Sequence, residues 1–172
     1  MIEPARYSAH ETLRDGRRIE IRALRPEDRA GLHDAVGHLS AETLHRRFFM
    51  VKRRFTEKEI DFFVNVDFVN HVALVAEVDD RGRRAIVGGA RYVVVEPGTA
   101  EVAFAVIDEF QGHGIGAALM RHLVTIARDA GLRELIAEVM PENGPMLKVF
   151  AKSGLHATTR HEPGVVHVTL AL

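Results

Sequence analysis

Hydrophobic and polar positions along the chain mark out its elements. Arg17 to Leu24 alternates, with Ile19 and Ile21 on one side and Arg18, Glu20 and Arg22 on the other, the period-two pattern of a half-buried strand. Pro26, Glu27 and Asp28 supply the proline and acids of a helix start, and Leu32, Val36 and Leu39 give that helix an apolar face. A second short helix is predicted from Ser40, with Leu44, Phe48 and Phe49 on its apolar side. Thr56-Glu57-Lys58-Glu59 resembles a capping box and starts a third, with Ile60, Phe63 and Val64 inward.

Three strands follow: His71 to Val78, Ala85 to Glu96 and Thr99 to Ile107. Asp79 to Gly82 turns the first into the second, and Pro97-Gly98 turns the second into the third, so the three read as an antiparallel meander. Gln111 to Ala118 is Gly-rich and leads into a helix with Ile115, Leu119, Leu123 and Ile126 on one face, stopping at Gly131. Glu134 to Val139 is a short strand, Pro145 to Lys152 a helix with Met146, Val149 and Phe150 inward, and His156–Arg160 with Val165–Leu170 a hairpin turned at Pro163-Gly164. The unit from Thr99 to Val139 is strand, Gly-rich turn, helix, strand, which predicts an α/β sheet, antiparallel early and parallel in this middle unit.

Composition narrows the function classes. The chain has 172 residues, enough for one domain, here read as Arg17 to Leu172 behind a short polar leader over residues 1–16. Lys plus Arg number 23 and Asp plus Glu 24, a formal charge of −1, which argues against general binding to nucleic acid or anionic membranes. There is no cysteine, hence no disulfide, thiolate metal site or cysteine nucleophile, and a cytoplasmic location is expected. The leader has no apolar core of a signal peptide, and no apolar run approaches the roughly 20 residues of a membrane span. The ten histidines show no ligand spacing, so no metal is expected. The basic residues Arg46, Arg47, Lys52, Arg53 and Arg54 read as a solvated face or as a dock for a phosphate or an acidic protein. Phe48-Phe49 and Phe62-Phe63 read as core, with one pair a candidate lining for an acceptor channel.

The strongest chemical signal is Gln111-Gly112-His113-Gly114-Ile115-Gly116-Ala117 between a strand and an amphipathic helix. Glycine removes Cβ from between backbone N–H groups and a ligand, and the helix start adds unpaired donors with about half a positive charge. Together they form a pyrophosphate cradle. A Walker A loop is excluded, since Gly116-Ala117-Ala118 stands where Gly-Lys-Ser/Thr is needed. Gly112, Gly114 and Ala117 fit a dinucleotide fingerprint, but only 34 residues follow Glu138, too few for a doubly wound sheet.

This turn, followed by Asn143, Met146, Phe150 and Lys152-Ser153-Gly154-Leu155, resembles the GNAT family of acetyl-CoA-dependent N-acyltransferases over nearly the whole chain. Ile21-Arg22-Ala23-Leu24-Arg25-Pro26-Glu27-Asp28, Leu39-Ser40-Ala41-Glu42 and Arg47-Phe48-Phe49 are similar to the acyltransferase domain of bacterial protein-lysine acetyltransferases of the Pat type. The resemblance implies a GNAT fold: a mixed, mostly antiparallel sheet with a central parallel pair and helices on both faces. It implies acetyl-CoA or a related acyl-CoA as co-substrate, bound at Gln111, Gly112, His113, Gly114, Ile115, Gly116 and Ala117 through its pyrophosphate. The backbone of Phe104, Ala105 and Val106 would pair with the pantetheine arm like an added strand, and Asn143 would hydrogen-bond the pantetheine or adenine side. His113 replaces a frequent cation, and Phe150 stands where many members carry a Tyr that protonates the thiolate, which makes it a packing residue against cofactor or core. Pat-type chains often carry a separate regulatory domain, and no room for one is expected here.

A lysine amine, with a reference pKa of about 10.4, needs a base before it attacks a thioester. Glu101 is the candidate, lying in the otherwise apolar run Ala100 to Ile107. A carboxylate enclosed by apolar residues is desolvated and becomes a better base at neutral pH. Pat-type enzymes place their base at the matching strand position. The alternative is a buried ion pair with Arg91. The thiolate, of reference pKa about 8.5, departs without strong acid help, and a backbone N–H near Val106 would stabilise the thioester oxygen. Direct attack is expected, since Ser8, Ser40 and Ser153 lie in no nucleophile context. The acceptor is expected to be a primary amine, a protein lysine first. A small-molecule amine and a non-catalytic acyl-CoA-binding module are the alternatives.

Overall fold

The computed structural model describes residues 1–38, 56–80 and 82–172. The helix predicted from Ser40, with Leu44, Phe48 and Phe49, and the basic run Arg46, Arg47 and Lys52 to Arg54 lie outside the described residues, as does Leu39. One sheet of eight strands organises the rest: β1 (Ser8–Thr12), β2 (Arg18–Ala23), β3 (His71–Asp80), β4 (Arg83–Glu96), β5 (Thr99–Val106), β6 (Glu134–Val139), β7 (His156–Glu162) and β8 (Val165–Ala171), ordered β1-β2-β3-β4-β5-β6-β8-β7. All neighbours pair antiparallel except β5 and β6, as the sequence pattern predicts.

Four described α-helices flank it: α1 (Arg29–Gly37), α2 (Glu57–Val64), α3 (Ile115–Asp129) and α4 (Gly144–Ala151). α3 crosses β2 to β5 on one face, with α4 packed beside it, and α1 lies over β4 on the other. The strand pleat divides the core accordingly. Val72, Leu74 and Ala76 of β3 join Ala100, Val102 and Phe104 of β5 under α3, while Ala73 and Val75 join Ile86 and Leu24 under Leu32 and Ala35 of α1. Leu119 and Leu123 of α3 are fully buried at the centre of the larger cluster, and each such side chain stabilises by about 1.5–3 kcal/mol. Among the described residues, no helix is long and apolar enough to cross a membrane.

Residues 1–16 are not a leader outside the fold. Pro4–Arg6 forms a 3-10 turn, and β1 pairs with β2 over five residue pairs from Ser8↔Arg22 to Thr12↔Arg18. Ser-Ala-His-Glu-Thr carries no apolar alternation, because β1 is an edge strand whose side chains are exposed or half-buried, so periodicity cannot reveal it. Asp15-Gly16 is the missed signal, a hairpin turn dipeptide. Gly16 stands at φ 89° and its N–H donates to Leu13 O, while the Leu13 N–H donates to Arg17 O at 2.7 Å and closes the hairpin. Half-buried Tyr7 then hydrogen-bonds His122 of α3 at 2.5 Å, and His122 pairs with Glu11, which ties the edge strand to the helix.

The proline-led start at Pro26 is a 3-10 turn, Pro26–Asp28, before α1 begins. Asp28 is used there as an anchor. Its carboxylate takes both terminal nitrogens of buried Arg22 at 2.8 and 2.9 Å, and Arg22 also reaches Glu77 at 3.1 Å. Thr56 and Glu59 form the predicted capping box of α2. Phe62, read as core, is instead exposed, because α2 presents Ile60 and Val64 inward.

Candidate functional site

The sheet opens where β5 and β6 part. Their parallel pairing runs Thr99↔Glu134, Ala100↔Leu135 and Glu101↔Ile136 and stops, although β5 continues to Val106 and β6 to Val139. A parallel pair joined through a helix has no tight turn to hold its far ends together. The β6-facing edge of β5 from Val102 onward is therefore left without a strand partner. Gln111 reaches back to this edge, its Nε2 donating to Val106 O at 3.0 Å.

The Gly-rich turn closes the far end of the opening. Gly112 and Gly114 stand at φ 80° and 90°, the left-handed region that disfavours side chains. A Cβ built on either would meet nothing within 4 Å, so both backbones border open space. Gly114 is the N-cap of α3 and offers no side chain to its first turn. The helical ladder begins with Ala118 N–H donating to Gly114 O, which leaves the N–H groups of Ile115, Gly116 and Ala117 without intrahelical acceptors. Gly116 faces α4, where a Cβ would come into ordinary contact with Val149 at 3.6 Å. The turn is thus an uncapped, positive helix terminus facing a void, which suits a phosphate or diphosphate.

One cavity of about 700 Å³ joins the splayed edge to this turn. Glu101, Phe104, Ala105, Val106, Gln111, Gly112, Gly114, Ile115, Gly116, Ala117, Asn143 and Phe150 all line it. His113 does not. Its ring turns instead toward Asp15 of the β1–β2 hairpin, with Nδ1 3.6 Å from the carboxylate. Asn143 is the N-cap of α4, and its Oδ1 accepts from Met146 N at 3.3 Å, so its amide group is what remains for a ligand. Phe150 is buried and meets Phe104 edge to face at 6.0 Å between ring centroids, a packing role at the cavity wall.

Glu101 departs from expectation in its surroundings. It is exposed, not desolvated, because the pleat of β5 turns it to the α1–α2 face with Ala103 and Ala105 while Ala100, Val102 and Phe104 fill the core under α3. Apolar neighbours in sequence are not its neighbours in space. It sits at the last β5–β6 pair, where the cavity begins. Among the described residues its carboxylate has no hydrogen-bond or ion-pair partner. Arg91 does not pair with it: the guanidinium bonds His71 Nε2 at 2.8 Å and covers the Phe63 ring at 4.9 Å. Burial, and then the charge of Arg91, push the His71 pKa down to about 4, so the imidazole is neutral and accepts from Arg91.

Sequence reasoning missed Arg14, Lys148 and Lys152, which also line the cavity. Arg14 projects from the β1–β2 hairpin, which docks on the Gly-rich turn through Asp15 and through Arg17 over the Phe110 ring at 4.6 Å. Arg14 is exposed and has no partner among the described residues. No group of three metal-ligating side chains occurs among the described residues.

The model of the acetyltransferase (GNAT) family matches residues 39–155. An acetyltransferase of Pseudomonas aeruginosa is 37% identical over 126 residues, covering 73% of this chain and 68% of that protein. Acetyltransferase Pat of Mycolicibacterium smegmatis is 32% identical over 156 residues, 90% of this chain, and the chain spans 46% of the length of that relative. The crystal structure of the GNAT domain of S. lividans PAT superimposes with a TM-score of 0.87 at 33% identity, covering 96% of this chain and 97% of that one.

Proposed function

The chain belongs to the GNAT family of acetyltransferases, and from that premise we propose that it moves an acyl group from acyl-CoA to a primary amine, with a protein lysine as acceptor and Glu101 as general base. The observation that carries this reading is the single cavity that runs from the uncapped start of α3, along the free edge of β5, to the carboxylate of Glu101. In it, the N–H groups of Gly112 to Ala117 hold the pyrophosphate, and Arg14 adds the cation that His113 does not direct there. The β5 edge from Phe104 to Val106 pairs with the pantetheine arm and presents the thioester beside Glu101. A protein lysine is what the resemblance to Pat-type acyltransferase domains implies, and the 33% identity to the GNAT domain of S. lividans PAT over nearly the full length of both supports that resemblance.

The chemistry follows from these positions. The amine enters protonated and gives a proton to Glu101, through water where the exposed carboxylate is not in direct reach. The neutral nitrogen attacks the thioester carbon, forming the C–N bond. A β5 backbone N–H receives the charge that develops on the oxygen. The C–S bond breaks as the attached nitrogen releases its second proton to solvent, leaving the neutral amide, and the thiolate takes a proton from solvent, which its ordinary acidity permits without a Tyr in place of Phe150.

The test is Glu101→Gln, isosteric and at an exposed position. It should bind acetyl-CoA with unchanged Kd, while acetyl transfer to a lysine peptide, read by mass spectrometry, falls about 100-fold or more at neutral pH. Recovery of that loss at high pH, where the amine ionises unaided, is part of the expectation. Unchanged turnover would remove Glu101 from the mechanism, and acetylation of small amines with no protein lysine modified would remove the acceptor assignment.

A further inference from the structure

A second cavity, of about 100 Å³, lies against the α1–α2 face of β4 and β5. Ala103, Phe104 and Ala105 line both cavities, so this segment of β5 is their common wall. The floor is made of the smallest residues available. The register sets Gly89 beside Ala105 and Arg91 beside Ala103, and Gly89, Ala103 and Ala105 leave the sheet surface bare there. Leu32 and Ala35 of α1 and Ile60 and Phe63 of α2 form the roof.

Among the described lining residues Arg91 is the only charged one. Its guanidinium is held by neutral His71 and by the Phe63 ring. Such a lining disfavours an ammonium, which would meet apolar walls and a like charge. It favours an uncharged aliphatic group, which loses its water on entry. An apolar cavity of roughly 150 Å³ accepts benzene, so about 100 Å³ takes roughly three or four carbons.

We infer that this cavity is an acyl-tail pocket, which receives the aliphatic chain of an acyl-CoA longer than acetyl from a thioester held beside Ala103, between the pantetheine edge and Glu101. The inference rests on the reading of the larger cavity as the coenzyme site. The enzyme thereby selects short-chain aliphatic acyl-CoA, propionyl to butyryl, over acetyl-CoA.

Calorimetric titration of the unmodified protein with CoA and with acetyl-, propionyl-, butyryl-, hexanoyl- and octanoyl-CoA tests this. Affinity should rise about three- to fourfold per methylene from acetyl to butyryl, then level off or fall. Ala35→Leu, which fills the roof, should move the best chain to a shorter one, and Leu32→Ala, which hollows it, to a longer one. A Kd independent of chain length, with CoA itself binding, would overturn the pocket and leave the coenzyme site standing. A rising series whose optimum shifts in neither folded variant would also overturn it. No binding of any member, CoA included, would overturn the coenzyme reading and this inference with it.

Discussion

Gly114 stands at φ 90° with open space where a Cβ would be, so a side chain there costs conformational strain and fills the void that faces the first turn of α3. Gly114→Ala should lower stability by about 1–2 kcal/mol, and weaken CoA binding about tenfold or more by calorimetry. Normal affinity in that variant would mean that the phosphates lie elsewhere. His71 gives a pH signature of its own. Its native pKa is about 4, against a reference value of about 6.5 in the unfolded chain. Between these values the unfolded state binds a proton that the native state refuses. Stability from this residue is therefore complete above about pH 6.5 and is lost as pH falls toward about 4, by roughly 3 kcal/mol. Denaturant titrations across this window should show the slope, and His71→Gln should flatten it. An undiminished slope in the variant would assign the effect to other groups.

At the scale of elements, the hairpin of β1 and β2 does more than extend the sheet edge. It carries Arg14 to the Gly-rich end of the cavity and fixes itself there through Asp15 and Arg17. Arg14→Ala should leave the fold intact and weaken CoA about tenfold, the worth of one charge-assisted hydrogen bond, with a reduced salt dependence of binding. A variant that binds as the parent does would leave the backbone amides as sufficient. This hairpin is also where the sequence is least legible. An edge strand of Ser, Ala, His, Glu and Thr has no buried face to write a pattern, whereas β3 to β5, buried from both sides or alternating, and α3, with a continuous apolar stripe, are visible in the hydrophobic periodicity. Glu101 shows the complementary error. Its position on β5 is legible, but its exposure is decided by which face α1 and α2 leave open, and that is a property of packing across the sheet.

For the whole molecule, the antiparallel meander, the Gly-rich crossover with its parallel pair and the closing hairpin read directly from turn residues, period and the strand–turn–helix–strand order. The splay of that pair follows from its register: three paired residues at one end, and no pairing beyond them although both strands continue. The open Gly-rich turn, the free strand edge and the carboxylate at its start are brought together by one topological feature, and the proposed coenzyme site stands or falls with all three. Backbone amide NMR during titration with CoA tests that unity most directly. The amides of Gly112, Gly114, Ile115, Gly116 and Ala117 and those of Phe104 to Val106 are predicted to shift together and saturate with one Kd. Saturable binding that leaves both sets unmoved, or no shift at millimolar CoA, would contradict the account.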